Sequence, residues 1–282
     1  MSDVHSITAP VHVDIDQMRG MVDVAIRRAS AFVRLGLDGL PDRGQGDFNL
    51  DASLNYQFWP NEIDEEARAA VREEFSAWLV GSCLRELDLF YGLFLDRVWF
   101  AIEASELHGK QVRSDYEFDK SFSRKTNVAK KQQQVSTKLE IADHFDEMNS
   151  LSLARNALAH HASVVRAPVD CNNEDRNMLR ASWLAFDMVV TRGGEERIVE
   201  RTPFDTEELP GEGEVAVGMR VSQRSMEIPA GSKISFTNAQ LAELCMFYKL
   251  LADKTISGLV DHYRTMGLIS GEATDGTAPD HT

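Results

Sequence analysis

Apolar positions recur at helical spacing through most of this chain and switch to strict alternation in one region. From Val13 to Leu35, residues Ile15, Met18, Val22, Ala25, Ile26, Ala29 and Val33 share one helix face. A loop with Gly, Pro and Asp follows from Gly36 to about Asn61. The next helix is predicted from about Glu62 to Leu107, with an acidic start and a very apolar centre (Leu84, Leu87, Phe90, Leu93, Phe94, Val98, Phe100) that requires burial. Gly81 or Gly92 marks either a break in it or a close helix contact. Two further helices are predicted over roughly Val128–Met148 and Asn149–Val165, the second stopped by Pro168.

Alternation then takes over. Ser182, Leu184, Phe186, Met188 and Val190 have strand spacing, Arg192-Gly193-Gly194-Glu195 reads as a turn, and Ile198 and Val199 suggest a returning strand. Glu195 to Glu214 is acidic and reads as a surface loop; Glu214 to Ile228 holds another strand or two. Thr237 and Gln240 form a capping-box pattern, with Phe236 and Leu241 as a hydrophobic staple. They open a last helix running to about Met266, and a polar tail follows. The expected organisation is an N-terminal helix and loop (1–61), a helical core (62–166), a β insertion with an acidic loop (167–236), a closing helix (237–267) and a disordered tail (268–282). The fold class is mainly α: a bundle of four to five helices with a small β-hairpin or sheet before the last one.

Composition agrees with a globular chain: 43% of its 282 residues are hydrophobic and 27% are charged. No apolar run is long enough to span a bilayer. Met1 to Pro10 lacks the features of a secretory signal. Cys83, Cys171 and Cys245 are far apart and without metal-ligand spacing, which suits reduced thiols. The expectation is a cytoplasmic protein without a membrane partner. A formal net charge of −15 argues against non-specific binding to long nucleic acids. That charge is uneven. Lys110, Arg113, Lys120, Arg124, Lys125, Lys130, Lys131 and Lys138 face only Asp115, Glu117 and Asp119 within the same segment. Such a run is most simply a solvated face; its sharper reading is a guide for a polyanion.

The chemistry-bearing stretch is Ser152-Leu153-Ala154-Arg155-Asn156-Ala157-Leu158-Ala159-His160-His161. On a wheel of about 100° per residue, Ser152, Ser163, Asn156, Ala159, His160 and Arg155 form one polar seam lined by small residues. Apolar flanks border it on both sides. Arg155 and His160 stand about 140° apart, an offset most easily used by two copies of the helix about a two-fold axis. His161 falls opposite the seam. Its metal-site reading is weak, since adjacent helical residues diverge and no His-Glu-x-x-His pattern exists. Glu86, Asp88, Asp96 and Glu103 of the long helix are candidate partners for Arg155.

The run Arg155-Asn156-Ala157-Leu158-Ala159-His160, preceded by Ser152, resembles the signature of the HEPN superfamily: Arg, four to six residues, then His, with a polar residue favoured after the Arg. The match covers about ten residues. The resemblance implies a four- or five-helix bundle, usually dimeric with both motifs at the interface. It also implies a metal-independent endoribonuclease of toxin–antitoxin, antiviral or RNA-processing systems, with no cofactor. Ala162 stands where one toxin subtype carries Tyr, so that subtype is not resembled.

The residues support the implied chemistry. His160 is suited to take a 2′-hydroxyl proton, Arg155 to stabilise the charge of the transition state, and Asn156 to orient either one. Ser152 is a supporting residue, and Lys120, Arg124, Lys125, Lys130 and Lys131 are candidate RNA contacts. Expected partners are RNA, such as a tRNA or another structured RNA, a second copy of the chain, and a cognate antitoxin or regulatory protein. The alternative is a non-catalytic HEPN-like module binding RNA, a nucleotide or a protein through the same seam.

Overall fold

Among the described residues, six helices and two of three strands contribute to one hydrophobic core in the computed structural model, which describes residues 12–38, 64–108, 110, 120–199 and 215–269. The expected loop from Gly36 to Asn61 and the expected tail lie almost wholly outside the described residues, as does the acidic segment beyond Val199. Helix α1 (Ile15–Asp38) lies against α2 (Glu65–Glu106), a single unbroken helix of 42 residues. Its start is capped by Asp64, whose carboxylate accepts the Ala67 N–H at 2.7 Å. Neither candidate glycine breaks α2. A Cβ on Gly81 would lie 3.0 Å from Cβ of Leu158, and one on Gly92 would lie 3.2 Å from a methyl of Val128. Both glycines are places where another segment presses close on the α2 backbone.

The expected helix from Val128 to Met148 is interrupted after Leu139, and its last residues open the next helix at Phe145. Helix α3 (Lys120–Lys125) is followed by α4 (Val128–Leu139), which stops at Glu140 in the left-handed region (φ 55°). Helix α5 (Phe145–His160) begins after Asp143, whose carboxylate accepts the Phe145 N–H at 2.8 Å. The end of α5 also departs from expectation. Ala162 and Ser163 are both left-handed (φ 50° and 66°), and the N–H groups of His161 and Ser163 both bond to the Ala157 carbonyl. This left-handed closure satisfies the last carbonyls without glycine, so Ser163 is not part of the helical seam.

Strands β1 (Met178–Arg192), β2 (Glu195–Val199) and β3 (Val215–Pro229) form an antiparallel sheet in the order β2-β1-β3. The Gly193-Gly194 turn joins β1 to β2 as predicted, and β3 is one strand paired with β1 from Met178↔Pro229 to Arg192↔Val215. The better-buried phase of β1 is Leu179, Ala181, Trp183, Ala185 and Val189, opposite to the apolar set read from alternation. Trp183 explains the phase: it is 1% exposed, edge-on to Phe236, and donates to Glu243 at 2.9 Å. The sheet is packed into the helical core rather than appended to it.

Helix α6 (Asn238–Thr265) opens on the expected capping box between Thr237 and Gln240, with Phe236 and Leu241 both buried. Helix α2 packs against both α5 and α6, and two further contacts position α5. Ser150 Oγ accepts the Ser182 N–H of β1 at 3.0 Å. Beyond α5, Ser163 to Val165 pair with the backbone that follows β3. No described helix is long and apolar enough to cross a membrane.

Candidate functional site

Helix α5 carries the motif between α2 and solvent. Its inner positions Leu151, Ala154, Ala157 and Leu158 are buried, Ser152, Arg155 and Asn156 are half-buried, and Ala159 and His160 are exposed. The exposed side of α5 is therefore the polar seam read from the wheel, shortened by one turn.

Arg155 is anchored from below. Its guanidinium donates to Asp88 of α2 at 2.9 Å, and the Asp88 carboxylate also accepts the Tyr248 hydroxyl of α6 at 3.3 Å. Among the four candidate carboxylates, the partner is Asp88, and it is only 6% exposed. Glu86 pairs instead with Arg28, and Asp96 with Lys131. Burial pushes the Asp88 carboxyl above the usual carboxylate range, although Arg155 and the Tyr248 hydroxyl pull the other way. Burial, then the charge of Asp88, pushes the Tyr248 phenol well up, so it stays a donor. The Arg155 side chain is 26% exposed, and its Nε is buried without an acceptor. One of its five N–H donors is given to Asp88; the fork has capacity left for an anion.

His160 points outward from the last turn, and among the described residues neither it nor Asn156 makes a side-chain hydrogen bond. Arg155 is directed to Asp88 while His160 faces solvent, so one copy of α5 does not close them onto each other. His161 lies outside the seam, as expected, yet it is not idle. Its Nδ1 is 2.6 Å from the buried Asp170.

The basic segment is divided. Arg113 and the Lys120 side chain lie outside the described residues. Arg124, Lys125 and Lys130 are exposed at the junction of α3 and α4. Lys131 corrects the sequence reading: it is buried, bonded to Asp96 at 2.6 Å and set over the Phe122 ring, so it does not meet a ligand at the surface. Lys138 is paired with Glu106 at 2.7 Å. Asp88, Gly92 and Asp96 follow at helical intervals on α2 and meet Arg155, Val128 and Lys131 in turn. The α3–α4 junction therefore lies along the same side of α2 as Arg155, about 6–12 Å further on at 1.5 Å per residue.

Two features were not read from sequence. On the flank of α2 next to the α5-facing stripe, Trp78, Leu89 and Leu93 are 64%, 54% and 43% exposed, so Leu93 departs from the burial expected of the α2 centre. A wheel of α2 aligned by the Gly81–Leu158 and Asp88–Arg155 contacts puts this flank on the side of the helix pair that carries Asn156 and His160. The other is the Asp170 contact to His161. The thiols offer no competing nucleophile: Cys83, Cys171 and Cys245 are buried, and burial pushes all three pKa values up, away from thiolate. Compared with known proteins, this chain matches no family model, no curated protein and no solved structure.

Proposed function

We propose that this protein is a HEPN-type, metal-independent endoribonuclease. The observation that carries the reading is the pairing of an anchored Arg155, held from beneath by Asp88, with an exposed His160 and a free Asn156 on one surface of α5. A cation fixed by a buried carboxylate keeps its position without losing all its donors. An exposed, neutral imidazole is suited to take a 2′-hydroxyl proton. The freed oxygen attacks the adjacent phosphorus, and Arg155 carries the added charge of the transition state. The products are a 2′,3′-cyclic phosphate and a 5′-hydroxyl.

The active species in this reading is a dimer. The exposed Trp78, Leu89 and Leu93 flank supplies an apolar surface beside the seam, suited to a two-fold contact that sets two seams face to face. Arg124, Lys125 and Lys130 would guide the RNA backbone. A non-catalytic RNA-binding module is the second reading. It is favoured by one observation: Asp88 already answers part of the Arg155 charge on a chain of net −15.

Incubation of purified protein with total RNA in excess chelator separates the two. The first reading expects fragmentation that His160→Ala abolishes. RNA retention with no fragmentation by wild type supports the second.

A further inference from the structure

Immediately beyond α5 is a second ionisable cluster that this reading leaves unused. The His161 side chain is 10% exposed, and its Nδ1 lies 2.6 Å from Oδ2 of Asp170, whose side chain is 1% exposed. The same oxygen accepts the backbone N–H of Arg166 at 2.9 Å. The other oxygen, Oδ1, is buried with no hydrogen-bond partner. The exposed Arg166 guanidinium closes over His161 Nε2. A carboxylate oxygen accepts, so Nδ1 carries the proton of the bond to Asp170, and Nε2 is the nitrogen on the Arg166 side. The ring is thus fixed by a buried carboxylate, and its far edge is covered by a side chain free to move. The turn is closed by the Asp170 N–H on the Arg166 carbonyl and by the Arg166 N–H on Asp170 Oδ2. It needs neither an ionisable ring nor a buried carboxylate oxygen left unanswered.

The neighbouring His160 ring is 6.5 Å away, centroid to centroid, with the two planes inclined by 59°. Attack by a 2′-hydroxyl is in line, so the base serves the entering oxygen and an acid serves the leaving oxygen on the opposite side of phosphorus. Two hydrogen bonds of about 2.8 Å, with a phosphoryl group between them, require imidazoles separated by several ångströms rather than in contact.

We infer that His161, held by Asp170, is the general acid that protonates the departing 5′-oxygen. The inference rests on the ribonuclease reading of Arg155 and His160. The 2′-hydroxyl proton passes to His160, and the 2′-oxygen forms its bond to phosphorus. The bond from phosphorus to the 5′-oxygen breaks, and that oxygen leaves with the electron pair. It takes the Nε2 proton of the His161 imidazolium, whose Nδ1–H stays on Asp170. His160 then releases its proton to water and His161 recovers one from water. Arg166 moves from Nε2 to the phosphate, where its charge is better answered.

The test uses full-length protein and two oligoribonucleotides with one scissile linkage each. One is ordinary, and the other carries sulfur in place of the bridging 5′-oxygen. A thiolate departs without a proton, its conjugate acid having a pKa near 8.5 or so. His161→Ala is expected to slow cleavage of the ordinary linkage by about 10²–10⁴-fold and to leave the sulfur linkage close to the wild-type rate. His160→Ala is expected to lose both. Asp170→Asn should give the same selective pattern in weaker form, and it carries the comparison if His161→Ala fails to fold. Equal slowing of both linkages, or no slowing of either, overturns the assignment of His161 while leaving the ribonuclease reading intact. Failure of wild type to cleave either linkage overturns both.

Discussion

His160 and Arg155 differ in what substitution reveals. His160 is exposed, so His160→Ala should leave the melting temperature nearly unchanged, as for surface changes within about 0.5 kcal/mol. Thermal unfolding of the two proteins checks this, and a loss of several degrees would show that His160 supports the fold. Arg155→Ala removes the charged partner of a carboxylate that is 6% exposed. It should cost about 1–3 kcal/mol, with Tyr248 left as the remaining donor to Asp88. Urea unfolding measures that cost. Asp88→Asn should restore part of it in the Arg155→Ala background, because it removes the buried charge itself.

The seam from Ser152 to His160 was legible from residue spacing, but the helix end that takes His161 and Ser163 off the wheel was not. The Asp88 partner was not: it is 67 positions away in the chain, and Glu86, Asp96 and Glu103 were equal candidates on the same helix. Long-range pairing depends on how helices cross, which spacing along one helix does not encode.

The start of α6 was legible in its capping box, whereas the caps that start α2 and α4 were not read from sequence. Asp64, Asn127 and Thr237 cap α2, α4 and α6 with side-chain acceptors, which is the chemistry a helix start demands. The ends of α4 and α5 use left-handed Glu140, Ala162 and Ser163 where sequence patterns would favour glycine. Two predictions belong at this scale. Gly81→Val should destabilise the protein by about 1–3 kcal/mol, because its side chain would press on Leu158 and push α5 away from α2. An unchanged urea midpoint would contradict that account of the contact.

The sheet supplies the pH dependence. Hydrogen bonds from Ser222 and Arg224 hold the Asp187 carboxyl below the usual carboxylate range. A depressed folded-state pKa contributes stability that is present above the unfolded value of about 3.9 and is lost as pH falls through the folded value. Unfolding followed from pH 6 downward should therefore show an acid-sensitive part that Asp187→Asn removes. A wild-type and Asp187→Asn pair that lose stability in parallel would contradict this.

At the scale of the whole molecule, the mainly helical class was readable from periodicity, but the rank of the sheet was not. A stretch that reads as an insertion carries Trp183 and Leu179 into the common core. Alternation reveals that one face is buried without saying which neighbour covers it. The dimer proposal is tested at this scale. Leu89→Glu on the exposed α2 flank should shift a wild-type dimer to monomer in sedimentation, with little change in helix content. A wild-type monomer that cleaves RNA would refute the interfacial arrangement and leave the chemistry of α5 standing.

The central claim is that α5 cleaves RNA through its own side chains, without a metal. Its most direct measurement is the chemistry of the fragment ends produced from a defined RNA in excess chelator, by wild type and by His160→Ala. The account predicts 2′,3′-cyclic phosphate and 5′-hydroxyl ends from wild type and no fragments from the variant. Intact RNA with wild type, fragments undiminished by His160→Ala, or ends bearing a 3′-hydroxyl and a 5′-phosphate would contradict it.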